Sequence, residues 1–291
     1  EGASARKPRV SDESFAVVAQ TIDVALDSHD MTAKGAVETV TSPASKKPDE
    51  KNEKEAPGLF DEGEPVRGSA ADLVYTSETG RAVYTGAGKE QAELRQTRSA
   101  GYIYADRITV DDSTRNLDAK GNVSQQFRET PTKGADAGKK PSMTSVTAGS
   151  LVYDDAARTA VYVGTVKMKN VEGMTEGDKI TLFLGKEDRS IQRLVVEGPG
   201  DNVFGELSGG YEVRGDRLNY DAATEIYHVI GKPVLVKSPN KEKSGCVISR
   251  GPEVKLNRRL NRAEWPPGRT DAVGTDELVK CDVSIRKPPA G

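Results

Sequence analysis

Few side chains in this sequence have the type and spacing that chemistry requires. There are two histidines in 291 residues, His29 and His228. His29 falls in a turn pattern and His228 on the outer face of a strand pattern. Neither has a patterned serine, cysteine or acidic partner, so no nucleophile and base can be assembled around them. Asp72, Asp106, Asp178 and Asp216 recur near the starts of successive strand patterns. Paired carboxylates could serve glycoside hydrolysis, with Asp106 or Asp216 as the acid or base. A short acceptor side chain also holds a bend, which explains the recurrence without turnover. Gly86-Ala87-Gly88-Lys89 has only a fragment of a phosphate loop and no helix pattern after it. Cys246 and Cys281 show no CxxC spacing and no histidine pair, which is not a metal pattern. They read either as two partly buried thiols or as a single disulfide, the latter in an oxidising compartment. No cofactor motif is present, and the inventory predicts a protein that is not an enzyme.

The elements carrying these residues repeat. A small residue occurs at Ala19, Ala70, Ala105, Ala148, Gly177 and Gly215, and a glycine follows each at Gly35, Gly86, Gly121, Gly164, Gly198 and Gly231, at equal spacing in every copy but the fifth. Three positions after the anchors stand Ile22, Leu73, Ile108, Leu151, Ile180 and Leu218; five after them stand Val24, Tyr75, Val110, Tyr153, Leu182 and Tyr220. Four and two positions before the glycines are further apolar columns, Met31 to Tyr227 and Ala33 to Val229. Positions two apart share one face of a strand, so each copy predicts a β-hairpin with one apolar face. Polar runs such as Asp111-Asp112-Ser113-Thr114 and Asp221-Ala222-Ala223-Thr224 supply the turns. An internal repeat of this kind sets the architecture before any single motif does.

A formal net charge of -3 gives no basic field, so a nucleic-acid partner is not expected. No apolar run reaches the roughly 18 to 20 residues of a membrane-spanning helix. Residues 1–14 are expected to be a flexible segment, 15–256 the repeat body, and 257–291 an extension with one strand and a tail. Two stretches, 41–68 and 128–145, are rich in charge, Pro, Gly or Thr and are expected to be long disordered loops. The apolar face either lines a groove, which the small residues Ala33, Ala82, Ala119 and Ala160 favour, or packs entirely on itself.

Two stretches carry a family likeness: Ala105-Asp106-Arg107-Ile108-Thr109-Val110-Asp111 followed by Leu117-Asp118-Ala119-Lys120-Gly121-Asn122-Val123, and Gly215-Asp216-Arg217-Leu218-Asn219-Tyr220-Asp221 followed by Ile230-Gly231. They resemble the OstA-like family of periplasmic lipopolysaccharide-transport proteins, LptA and its relatives. The resemblance spans about residues 15–256 and rests on serial recurrence of short motifs. It implies an all-β protein, a twisted open β-jelly roll of stacked hairpins, whose inner face shelters lipopolysaccharide or a related glycolipid in the periplasm. The groove would then be lined by Ile22, Val24, Leu73, Tyr75, Ile108, Val110, Leu151, Tyr153, Ile180, Leu182, Leu218 and Tyr220. The partners implied are other OstA-like jelly rolls of the transport bridge, joined edge to edge; self-association is a separate expectation. The chain is longer than a single-domain bridge protein and its fifth copy is stretched. That leaves a bridge protein, the periplasmic region of a tethered partner, and two fused halves all open. The alternative is a self-assembling β scaffold or adhesin without lipid cargo.

Overall fold

Period-two apolar patterning and polar turn residues fold the described residues into one antiparallel sheet of 21 strands, doubled over on itself. The computed structural model describes residues 7–12, 15–41, 59–60, 64–129, 141–186, 190–239, 245–266 and 277–287. In chain order the strands are β1 (Arg9–Ser11), β2 (Phe15–Val18), β3 (Thr21–Val24), β4 (Met31–Thr41), β5 (Val66–Thr76), β6 (Arg81–Thr85), β7 (Ala92–Arg95), β8 (Tyr102–Ala105), β9 (Arg107–Asp111) and β10 (Asn116–Glu129). The second half holds β11 (Ser142–Asp154), β12 (Thr159–Asn170), β13 (Gly173–Leu184), β14 (Ile191–Glu197), β15 (Val203–Leu207), β16 (Tyr211–Gly215), β17 (Arg217–Asp221), β18 (Ile226–Pro239), β19 (Cys246–Asn257), β20 (Arg262–Glu264) and β21 (Glu277–Val279).

The six repeat copies are six hairpins laid side by side in one layer: β3–β4, β5–β6, β9–β10, β11–β12, β13–β14 and β17–β18. Three of their turns are built by acceptor side chains. Asp111 Oδ1 takes the Ser113 and Thr114 N–H groups, Asp154 Oδ1 that of Ala157, and Asp221 Oδ1 that of Thr224. Each of these turns closes on a left-handed residue, Arg115, Arg158 or Glu225.

A second layer is made by the segments between the copies. The far half of β4 pairs with the near half of β5, β7 with β8, the far half of β10 with the near half of β11, β12 with β13, β15 with β16, and β18 with β19. The long strands β4, β5, β10, β11, β12, β13, β18 and β19 therefore belong to both layers. Register shifts between Lys34 and Val37, Lys120 and Val123, Val163 and Val166, and Ile230 and Val234 mark where they bend. The repeat glycines lie on this fold line, where the backbone turns sharply. Gly121 has φ +79° and a Cβ there would stand 2.1 Å from Asp106 Oδ2, which explains why only glycine serves. The recurring aspartates act at the same line: Asp106 accepts from the Asn122 and Gln91 side chains, and Asp216 Oδ1 accepts the Asp201 N–H.

Several expectations need correction. The loop expected at 41–68 begins and ends as strand, since β4 runs to Thr41 and β5 starts at Val66; Leu59 packs in the core, and 42–58 and 61–63 lie outside the described residues. Likewise Arg128 and Glu129 belong to β10 and Ser142 to Ser145 to β11, while 130–140 lie outside the described residues. Arg9–Ser11, expected to be flexible, pairs with β2. Among its described residues the extension after 256 carries two strands, where one was expected, and Ile285 is buried against Phe204, Leu235 and Ile248. The physical reason is common to all four. Short β segments with a partner waiting in register need little apolar content of their own.

Candidate functional site

The plus-three column forms one straight row across the first layer. By strand register it runs Ile22, Ala33, Leu73, Tyr84, Ile108, Ala119, Leu151, Tyr162, Ile180, Val196, Leu218 and Val229. The plus-five column forms a second row through Val24, Tyr75, Val110, Tyr153, Leu182 and Tyr220. Leu73, Ile108, Leu151, Ile180, Leu182, Leu218, Tyr153 and Tyr220 are buried in one continuous core; Ile22, Tyr75 and Val110 are partly buried against it. Val24, at the N-terminal edge, is 39% exposed and stands outside that cluster.

The opposite wall of the interior was not anticipated. Val17, Val37, Leu94, Ile103, Val123, Phe127, Val146, Val166, Met168, Val203, Val213 and Val236 from the second layer face the two rows. Their period-two spacing in the connecting segments was the available signal. Polar side chains interrupt this wall, and they bond across to tyrosines of the rows. Tyr162 donates to Gln125 Oε1 at 2.6 Å, and the Thr39 and Tyr84 hydroxyls lie 3.2 Å apart.

From fold line to mouth the space between the layers is occupied by these side chains. Two small cavities, about 10 and 50 Å³, lie at the mouth and share Leu207, Tyr227 and Arg258 among their linings. The larger holds a few waters at most and no acyl chain. The mouth itself is spanned by polar contacts between layers: Arg258 Nη2 to Glu172 Oε1 at 2.6 Å, and Tyr211 hydroxyl donating to the Asn261 carbonyl at 3.1 Å. A buried cluster caps the centre of the first layer's rim. Arg158 donates to the Tyr153 hydroxyl and to Asp155, whose other oxygen meets Arg115 at 2.7 Å.

Burial raises the phenol pKa of Tyr84 to about 12, against the Thr39 contact that lowers it. Burial pushes Tyr153 and Tyr162 up as well, and for Tyr153 the bond to Asp155 adds to it. A phenol with a raised folded pKa holds its proton more tightly folded than unfolded. Its contribution to stability is complete below the unfolded value of about 10 and is lost as pH rises above it. Alkaline titration is therefore expected to release phenolate absorbance from these tyrosines only together with loss of the β-sheet circular dichroism. Reversible ionisation of every tyrosine near pH 10, roughly the unfolded value, with the sheet intact would contradict their burial.

At the C-terminal edge Cys246 and Cys281 are joined as a disulfide, with Cα atoms 5.0 Å apart. It fixes the segment after β21 to the start of β19. Among the described residues no helix is long and apolar enough to cross a membrane.

A doubled antiparallel sheet with two apolar rows along its inner face defines the class: an all-β jelly roll. Residues 145–253 match the family described as LptA/(LptD N-terminal domain) LPS transport protein. Among solved structures, similarity is found to LptH, the LptA homologous periplasmic component of the conserved lipopolysaccharide transport device from Pseudomonas aeruginosa. It shares 18% identity, covers 46% of this chain and 83% of that one, and has a TM-score of 0.35. No curated protein sequence matches the chain.

Proposed function

We propose that the chain is a non-enzymatic periplasmic carrier or bridge that shelters lipopolysaccharide acyl chains against its inner face on their way to the outer membrane. The observation that carries this reading is the pair of apolar rows, which cross the first layer from the N-terminal edge to β18 without a charged side chain. Exposing an acyl chain to water costs about 0.8 kcal/mol per methylene, so a carrier needs an apolar track of this length. The closed interior is then a resting state. Lipid is admitted when the layers part at the mouth and the row side chains exchange one another for acyl contacts. Edge-to-edge joining with related jelly rolls is supported by β1 and β3, each paired on one side only among the described residues, with Val10 and Val24 exposed there. A disulfide fits an oxidising periplasm.

Photo-crosslinkers placed at Tyr75, Tyr153 or Tyr220 are expected to capture lipopolysaccharide, and crosslinkers at Asp23 or Thr109, on the outer face, are not. Equal capture from both sets would defeat the groove assignment. The filled interior favours one second reading, a β scaffold or adhesin that assembles through its edges without lipid. That reading predicts concentration-dependent oligomers from lipid-free protein. Lipid retained through purification, seen by mass spectrometry, counts against it.

A further inference from the structure

The larger mouth cavity has the make-up of a binding site rather than a packing fault. Its floor is apolar, from Met168, Ile191, Leu194 and Leu207, with the stacked pair Tyr220 and Tyr227 at a centroid separation of 4.5 Å. Its rim is polar, from Glu129, Asn170, Glu172 and Arg258. Walls come from both layers, so the cavity enlarges if they part. Two methionines, Met168 and Met174, line it, and their unbranched side chains adapt to a moving guest. Thr175 also lines it. This residue is 4% exposed, and its Oγ1 has no hydrogen-bond partner among the described residues. A buried hydroxyl without a partner costs free energy unless something arrives to bond it.

Across the opening lies the Arg258–Glu172 pair, from residues 86 apart in sequence and in opposite layers, with Arg258 also donating to the Tyr220 hydroxyl at 3.2 Å. The rim carries two carboxylates, Glu129 and Glu172, against one guanidinium. That balance does not favour a phosphate. Carboxylate, amide, guanidinium and hydroxyl groups together are instead partners for the hydroxyls of a sugar.

We infer that this cavity is the entry port for one acyl chain of an acylated sugar, and that Arg258 and Glu172 latch it shut. The inference rests on the lipid-carrier reading and adds where the chain enters and which part of the headgroup is held. The chain passes between Tyr220–Tyr227 and Met168, while sugar hydroxyls replace Glu172 on Arg258 and meet the idle Thr175 hydroxyl.

The test uses the whole chain and a glucoside bearing a conjugated-polyene acyl chain, whose emission rises on leaving water. Glu172→Gln keeps the shape but removes the latch charge, and is expected to speed uptake about fivefold. Arg258→Gln should do the same, and the double variant no more than either, since both remove one interaction. Arg259→Gln breaks the ion pair between an exposed guanidinium and the buried Glu225 on the neighbouring turn, at 3.0 Å, and should leave the rate unchanged. Thr175→Val should weaken glucoside binding about fivefold without affecting the same polyene chain as a free alcohol. Equal uptake by wild type and Glu172→Gln would overturn the latch while leaving the carrier reading intact. Faster uptake by Arg259→Gln as well would mean general loosening and would also overturn it. Unchanged glucoside affinity in Thr175→Val would remove the sugar from the site. No binding of either probe by any variant would sink the carrier reading and the port with it.

Discussion

Gly121→Val is expected to destabilise the protein by about 3 kcal/mol or more, a large part of a typical domain's stability. Two costs add. At φ +79° an L residue is strained, a β-branched one most of all. The new Cβ also meets Asp106 Oδ2 at 2.1 Å, and Asp106 cannot step aside without giving up its bonds to Asn122 and Gln91. Those bonds sit where the Asp106 N–H donates to the Gly121 carbonyl and the Gly86 N–H to the Asp106 carbonyl, so strain there spreads along the fold line. Gly88→Ala is the control. It has φ +61° with nothing within 4 Å of the added Cβ, and should lose only the conformational cost of about 1 kcal/mol. Urea unfolding of the two variants separates these cases. Equal midpoints would mean that the fold line carries no special constraint.

Replacing Cys246 and Cys281 with serine is expected to be the next largest loss. A disulfide closing a separation of 35 residues restrains the unfolded chain by about 4 kcal/mol in the chain-entropy account. In the folded protein the segment it holds is tied in other ways. The buried Lys237 ammonium donates to the Cys281 and Val283 carbonyls at 3.0 and 2.8 Å and to Glu212, while Glu212 also accepts the Ile285 N–H. Arg286 lies 4.7 Å from the Phe204 ring centroid. Loss of about 3 kcal/mol should therefore appear in denaturant unfolding, with slow trypsin cleavage after Lys280 in the double variant only. Unchanged midpoints together with an uncut C-terminus would show that the polar contacts alone hold the segment.

The part of the fold legible in the sequence is the layer where pattern and pairing coincide. Ile108 and Val110 alternate with Thr109, as Leu117 and Ala119 do with Asp118, and the structure pairs them residue for residue. Asp111, Asp154 and Asp221 announced turns because an acceptor at that place bonds the N–H groups that follow. The second layer was hidden for two reasons. Its inward positions include Thr39, Gln125, Thr144 and Thr175, which break the apolar alternation. Its hairpins also have connections of very different length, so no fixed spacing advertises them. The candidate site divides in the same way. Its rows follow from local periodicity, but the pairing of Arg258 with Glu172 depends on how one layer lies over the other, and nothing local encodes that.

The long strands that run through both layers have a mechanical consequence. The two covers are leaves bound by a common spine, the long strands running from one leaf into the other while their ladders break register at the bend. Opening the book means flexing that spine at the shifted registers, with no backbone pairing surrendered. The work of opening is thereby confined to side-chain contacts at the free margin and in the gutter. A force applied at the margins would meet gradual compliance and recoil, in place of a sudden rupture.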